Sequence, residues 1–371
     1  MPPESLPRYV EIARAIEASV SAKPPGDARL PSSREIAREH GVSPVTASRA
    51  IQVLRDKGLI RTIDRSGSYA TPRAQAAAAD CWALVLRNTP GPWWHASHSF
   101  ALSAFESAAH AEGSRFDPDC FDLDGPAARE SHFRRQAREA VASGIRGVFL
   151  MPSRASDKEA ARDEALLHAC LESGLPVVLI ERNVRGAGRR LEHDLAAADD
   201  FDGGLRCTEH LLEIGRRRIA FMAGSPTSSH EGRLAGYLAA LGRAQIALRP
   251  LILEQQSDPD PRDACRRLAD QVLRQKADAV VCYQDYAALS LIVELLARGV
   301  RVPADVAITG FDNLPIGEAF AIGLTTYAFP MEAIASQAIR VMRWRLTSPS
   351  GPPVKVLVQG ELLVRQSTVP A

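Results

Sequence analysis

The side chains whose types and spacing carry chemistry are densest in residues 30–71, LPSSREIAREHGVSPVTASRAIQVLRDKGLIRTIDRSGSYAT. Arg34, Arg49 and Arg65 are fixed cations. Ser43, Thr46 and Ser48 are short hydroxyls, and Val45 is a small apolar group among them. Such groups suit recognition rather than bond making. Guanidinium and hydroxyl donors reach phosphate oxygens and base edges, and a small apolar side chain meets a thymine methyl. Motifs of catalysis are missing: there is no GxSxG, no HExxH, no P-loop and no GxGxxG after a strand. His95, His98 and His110 have no third partner at metal spacing. The six cysteines are scattered without a CxxC pair, which reads as reduced core thiols rather than disulfides or a zinc site. Neither an enzyme nor a metal protein is expected.

Local punctuation shows what must position these residues. Ser32 or Ser33 caps a short helix over 34–40, with Glu35 near capping-box spacing, and Gly41 ends it. Ser43 caps a second helix that opens on Pro44, where a missing N–H costs nothing, and runs to about Lys57 before Gly58. LIRTI and GSYAT form two short strands around a tip containing Arg65, Ser66 and Gly67. Val10, Ala13, Ile16 and Val20 mark an earlier amphipathic helix. A helix pair of this shape lays its second helix in a DNA major groove. Residues 73–80, RAQAAAAD, have no periodicity and read as a linker.

From Cys81 onward the pattern changes. Apolar runs at 82–86, 147–151, 176–180, 218–223, 278–283 and 306–311 alternate with amphipathic segments of helix length. Short buried strands alternating with helices predict parallel sheets covered on both faces. Two sets of three strands predict two α/β lobes with a ligand cleft at the carboxyl ends of the strands.

Composition fits this division. The chain has 371 residues, too many for one ordinary domain, and its 46% hydrophobic and 24% charged content is that of a globular protein. Residues 1–73 carry 12 basic and 8 acidic side chains, against 33 and 36 in the rest, so the small N-terminal part is the basic one. No stretch of 18 apolar residues and no signal-type N-terminal run occurs, so no membrane contact and a cytoplasmic location are expected.

LPSSREIA, GVSPVTASRAIQVLRDKGLI and RSGSYA together resemble the winged helix-turn-helix of GntR-family regulators over about residues 5–72. That resemblance implies a DNA face of Arg34, Ser43, Pro44, Val45, Thr46, Ser48, Arg49, Arg65, Ser66 and Gly67. Pro44 stands where many members have Arg, so the family's usual operator does not carry over. Lys158, Lys276 and Lys355 close no motif for pyridoxal phosphate, which some GntR fusions bind, and no cofactor is expected.

The remainder resembles the periplasmic-binding-protein-like effector core of LacI/GalR regulators, through DDFDGGLRCTEHLLEIGRRRIAFMAGSP (199–226), EGRLAGYLAAL (231–241), VPADVAITGFDN (302–313) and LTTYAFPMEAIASQAI (324–339). The helical hinge that LacI relatives place before this core is not recognisable. The combination looks like the arabinose-repressor subgroup of the GntR family. The resemblance implies effector contacts at Arg233, which suits a polyol or an acid, and at Asp312, which accepts sugar hydroxyls. Gln284 stands where many relatives have Asn, and Glu181 stands where they have Asp. Trp93 and Trp94 sit beside the cleft as stacking candidates, and Asp285 and Phe329 complete the set. For Asp312 and Asp285 a helix cap is the competing reading; for Trp93 and Trp94 it is core or dimer packing.

The expected architecture is therefore an α+β winged helix-turn-helix over 1–72, a linker over 73–80, and a two-lobed α/β domain over 81–371. Lobe one takes 81–184 and 328–350, lobe two takes 185–325 and 355–371, and the chain crosses near 185–194, 326–329 and 349–354. The expected function is effector-controlled operator binding by a homodimeric repressor, with a carbohydrate effector and a roughly palindromic double-stranded site. The rival is a sugar-binding protein without a DNA role, which needs export.

Overall fold

A computed structural model describes residues 8–9, 12–13, 15–16, 30–56, 60–63, 67–70, 80–86, 92–123, 130–153, 157–186, 190–224, 227–246, 251–254 and 261–369. Arg65, Ser66 and the linker up to residue 79 lie outside them. The chain separates into two compact units, Met1–Trp82 with Ala109–Arg115, and Ala83–Ala108 with Phe116–Ala371.

In the first unit, helix α1 (Ser33–Glu39) begins with a capping box. The Ser32 hydroxyl accepts from the Glu35 N–H, and the Glu35 carboxylate accepts from the Ser32 N–H at 2.7 Å. Gly41 takes φ +63°, the left-handed conformation that turns the chain, and helix α2 (Pro44–Asp56) follows. Strands β1 (Ile60–Ile63) and β2 (Gly67–Ala70) pair antiparallel, with Ile60 opposite Ala70 and Ile63 opposite Gly67. Ile12, Ala13, Ile16, Leu30, Ile36, Ala47, Ala50, Leu54 and Ile60 form the core that holds these pieces together. The Leu30 N–H donates to the Ser68 carbonyl at 2.9 Å, tying β2 to the segment before α1.

The second part of the chain contains two six-stranded sheets. The first joins β3 (Cys81–Val85), β4 (Arg115–Asp117), β5 (Ile145–Leu150), β6 (Val177–Ile180), β7 (Asp194–Ala198) and β13 (Lys355–Val358), in the order β13-β7-β6-β5-β3-β4. The second joins β8 (Ile219–Ala223), β9 (Leu251–Glu254), β10 (Ala279–Cys282), β11 (Ala307–Phe311), β12 (Thr325–Ala328) and β14 (Glu361–Leu363), in the order β14-β12-β11-β10-β8-β9. Neighbours pair in parallel from β5 through β6 and β7 to β13, and from β9 through β8, β10 and β11 to β12. β14 runs antiparallel to β12. Central strands such as β6, β10 and β11 are buried at every position, which is why they read as unbroken apolar runs.

Helices cover the sheets: α3 (Pro92–Ala111), α4 (Glu130–Ala142), α5 (Asp157–Glu172) and α11 (Met331–Thr347) belong with the first sheet by chain position or contact. Helices α6 (Asp200–Glu213), α7 (Ser228–Arg243), α8 (Pro261–Arg274), α9 (Asp285–Ala297) and the short α10 (Pro315–Ala319) belong with the second. α6 and α7 cross backbone to backbone. A Cβ on Gly204 would lie 2.0 Å from the Arg233 carbonyl oxygen, and one on Gly236 would lie 2.1 Å from that of Phe201.

The expected lobe boundaries need correction. Residues 190–198 stay with lobe one, because β7 pairs with β6; 355–358 also join it, as β13 beside β7. Residues 361–369 go to lobe two. The chain therefore changes lobe at 198–200, 328–331 and 358–361. Among the described residues each lobe holds six strands rather than three. β7, DLAAA, escapes a propensity reading because alanine is a poor strand former. Burial between two neighbours makes it a strand, and its leading Asp194 is buried in a two-pronged pair with Arg345, at 2.7 Å on both prongs.

Candidate functional site

On the first unit, the second helix presents a continuous exposed face. Ser43, Pro44, Val45, Ser48 and Arg49 are exposed, and Val45, an apolar side chain, is 77% exposed. Ser43 is spent on its own helix: its hydroxyl accepts from the Thr46 N–H at 3.1 Å and pairs with the Thr46 hydroxyl at 2.9 Å. Arg34 is exposed near the start of α1. The Arg49 guanidinium lies 4.9 Å over the Tyr9 ring, which aims its fork. Gly67 begins β2; the backbone of the tip before it, with Arg65 and Ser66, is outside the described residues. The sequence reading missed Gln52 and Arg55, which are exposed on the same helix and joined by a 2.9 Å hydrogen bond from the Arg55 guanidinium to the Gln52 amide oxygen. Their spacing of four and seven from Ser48 was the available signal.

In the second unit, polar groups converge where strands of both sheets end. Arg233, on the second turn of α7, is buried, 3% exposed. Its Nε donates to Asp200 Oδ1 at 2.9 Å and its Nη1 donates to the Tyr283 carbonyl. The guanidinium lies 4.5 Å from the centre of the Phe311 ring and 4.7 Å from that of Phe329. Burial opposes its charge, but Asp200, Asp312 and Glu181 hold it protonated. Burial pushes the Asp200 carboxyl up to about 6, and Arg233 limits the rise.

Asp312 follows β11 in the left-handed region at φ +105°, with its N–H donating to the Tyr327 carbonyl at 3.1 Å. A non-glycine residue held there is costly, so the surrounding contacts must fix it. Glu181 follows β6 at φ +63°, with its carboxylate accepting from Arg182, and Arg182 in turn donates to the Pro152 carbonyl at 2.7 Å. Gln284 occupies the N-cap position of α9 without capping it, and its amide lies 3.4 Å from the Tyr283 hydroxyl. His230 packs on Tyr283 with ring centres 4.9 Å apart. The two lobes meet here, where the Asn183 N–H donates to the Ser228 hydroxyl at 2.9 Å.

Of the effector candidates, Arg233, Asp312, Glu181, Gln284 and Phe329 thus stand at strand ends or helix starts around one region. Asp285 does not join them. It is fully buried behind the loop, with Oδ2 accepting from the Leu314 N–H at 2.8 Å and Oδ1 from the Thr326 hydroxyl at 2.6 Å. Its role is to hold the loop that carries Asp312. Trp93 and Trp94 fall in the first turn of α3, and their side chains lie outside the described residues. Asp200, Arg182 and Tyr283 were missed. Asp200 lies in the DDFDGG run but carries no spacing to Arg233 that a sequence displays. Among the described residues no cluster of three or more His, Cys, Asp or Glu side chains is placed to hold a metal, and no helix is long and apolar enough to cross a membrane.

Residues 208–368 match the family described as periplasmic binding protein-like domain. The chain is 23% identical over 376 residues to the arabinose metabolism transcriptional repressor of Geobacillus stearothermophilus, covering 99% of both. It is 25% identical to the HTH-type transcriptional regulator DegA of Bacillus subtilis (strain 168), covering 91% of this chain and 97% of that one. Among solved structures, a transcriptional regulator CelR–cellobiose complex superposes with a TM-score of 0.61 at 22% identity, covering 95% of this chain and 98% of that one. None of these carries a GntR designation, and they bring no support to that part of the expectation. What they establish is the fold: the chain carries a two-lobed periplasmic-binding-protein-like α/β domain.

Proposed function

We propose that this chain is a sequence-specific DNA-binding transcriptional repressor whose operator affinity is set by a small carbohydrate-like effector. The observation that carries the reading is the buried Arg233, clamped by Asp200 and two aromatic rings and surrounded by Asp312 and Glu181 where the strands of both lobes end. Paired charges beside aromatic faces suit a ligand with many hydroxyls and an apolar face. Arg233, Asp312, Glu181, Gln284 and Phe329 contact the effector in this reading, with Trp93 and Trp94 from the side of α3. The end-to-end similarity to a named repressor supports the class.

The first unit acts as a winged helix-turn-helix of GntR type in this reading, supported by the antiparallel β1–β2 ribbon behind α2. α2 enters the major groove with Val45, Ser48 and Arg49 toward the bases, and Arg34 meets a phosphate. The chain works as a cytoplasmic homodimer on a roughly palindromic operator. Effector closes the lobes and changes the spacing of the two DNA-binding units, and it does so only through its differential affinity for the two states. A salt-titrated gel shift on the DNA upstream of the gene tests the class; binding without sequence preference refutes it. A thermal-shift screen of mono- and oligosaccharides, with Arg233→Ala as control, tests the effector site. A sugar that raises the melting temperature of the parent but not of the variant supports the placement.

A further inference from the structure

The three passages between lobes are tied together by one side chain. Strand β7 ends at Ala198 in lobe one, and α6 starts at Asp200 against the lobe-two sheet. Strand β12 ends at Ala328 in lobe two, and α11 starts at Met331 against β6 and β7. Strand β13 ends at Val358 in lobe one, and β14 starts at Glu361 in lobe two. Tyr327, fully buried, stands just before the second passage. Its hydroxyl donates to Asp202 Oδ2 at 2.7 Å, just past the first passage, and accepts from the Gly360 N–H at 2.8 Å, inside the third. The first and third passages are also joined directly, by the Asp199 N–H donating to the Val358 carbonyl at 2.9 Å.

Two glycines make room for this ring. A Cβ on Gly203 would lie 3.0 Å from it, and one on Gly360 would lie 2.6 Å from it and 2.2 Å from the Ala328 carbonyl oxygen. The same ring packs against Phe311 and Phe329, with centres 6.0 and 5.8 Å from its own, and both of those rings lie against the Arg233 guanidinium. The Tyr327 carbonyl receives the Asp312 N–H.

We infer that Tyr327 is the pivot residue of this domain: its hydroxyl fixes the angle between the lobes by bonding across the three passages, and its ring links that angle to the seat of Arg233. It is a positioning residue. Lobe closure must rotate the backbone at 198–200, 328–331 and 358–361 together, and a hydroxyl bonded to Gly360 in the third segment and to Asp202 just past the first, carried beside the second, lets them move only as a set.

The inference rests on the effector-cleft reading for its regulatory meaning. Its test uses neither ligand nor DNA, so a wrong effector or operator does not alter the outcome. Fluorophores placed through non-natural amino acids at the exposed Leu171 in lobe one and Leu238 in lobe two report the interlobe distance in the full chain. Tyr327→Phe should broaden and shift that distance distribution. It should speed amide exchange in the peptide containing Gly360 about tenfold, the factor that corresponds to 1.4 kcal/mol, while exchange in β10 stays at the parent rate. Asp202→Ala, which removes the other partner, should move the distribution in the same direction and stands in if Tyr327→Phe does not fold. Distributions that superimpose on the parent in the folded variants overturn the inference. So does equal acceleration in β10 and at Gly360, because that is general loosening of lobe two.

Discussion

Asp285→Asn is the most informative single substitution, because it separates the charge of this carboxyl from its shape. Burial, with Asp312 adding to it, pushes the Asp285 carboxyl from an ordinary 3.8 to about 8. Between those limits the folded protein holds a proton that the unfolded chain has released. Stability is therefore full below about pH 4 and falls as pH rises, by ~1.4 kcal/mol per pH unit, until about pH 8. The whole linked loss is on the order of 5 kcal/mol. Asparagine keeps the shape and both contacts, since its oxygen accepts from the Leu314 N–H and its amide donates to the Thr326 hydroxyl. Urea unfolding of parent and variant at intervals from pH 5 to pH 8 measures the difference. The variant's stability should gain on the parent's by ~1.4 kcal/mol per pH unit, starting near or slightly below it at pH 5 and exceeding it at pH 8. Parallel profiles would refute the argument, because Asp285 would then be ionised in the folded protein across that range.

Other outcomes follow from the same geometry. Arg34→Ala should weaken operator binding about equally on all sequences and lower the salt slope of the binding constant by about 1, as read from gel shifts between low and high salt, whereas Arg49→Ala should relax sequence preference. Gly236→Ala drives a methyl group to 2.1 Å from the Phe201 carbonyl, so it should cost ~1–3 kcal/mol or more by thermal denaturation and displace Arg233. Arg345→Ala leaves Asp194 buried without its two-pronged partner and frees the carbonyls of Gly351 and Pro352, so a loss of ~3–5 kcal/mol is expected in chemical denaturation.

What sequence alone determined is what local chemistry determines. Ser32, Glu35, Gly41, Ser43 and Pro44 punctuate α1 and α2 by capping and by backbone freedom, both of which act within four residues. The runs at β5, β6, β8, β10 and β11 were legible because a strand buried on both faces needs apolar residues throughout. Arg233 and Asp312 were singled out through resemblance, not through pattern.

The rest is non-local. DLAAA is a strand only because two neighbours bury it, and Asp285 is internal only because the loop ending in Leu314 folds over it. The run Arg216, Arg217 and Arg218 shows the difference plainly. By composition it is a basic cluster of the kind that meets nucleic acid. In the fold, Arg216 donates to the Pro303 carbonyl, Arg217 to that of Leu212 and Arg218 to those of Gln275 and Lys276, so their donors close helix and loop ends. Side-chain type and spacing set which interactions a residue is able to make. Which one it makes depends on the carbonyls and carboxylates that the tertiary fold brings within 3 Å, and for Arg216 and Arg218 those lie dozens of residues away along the chain.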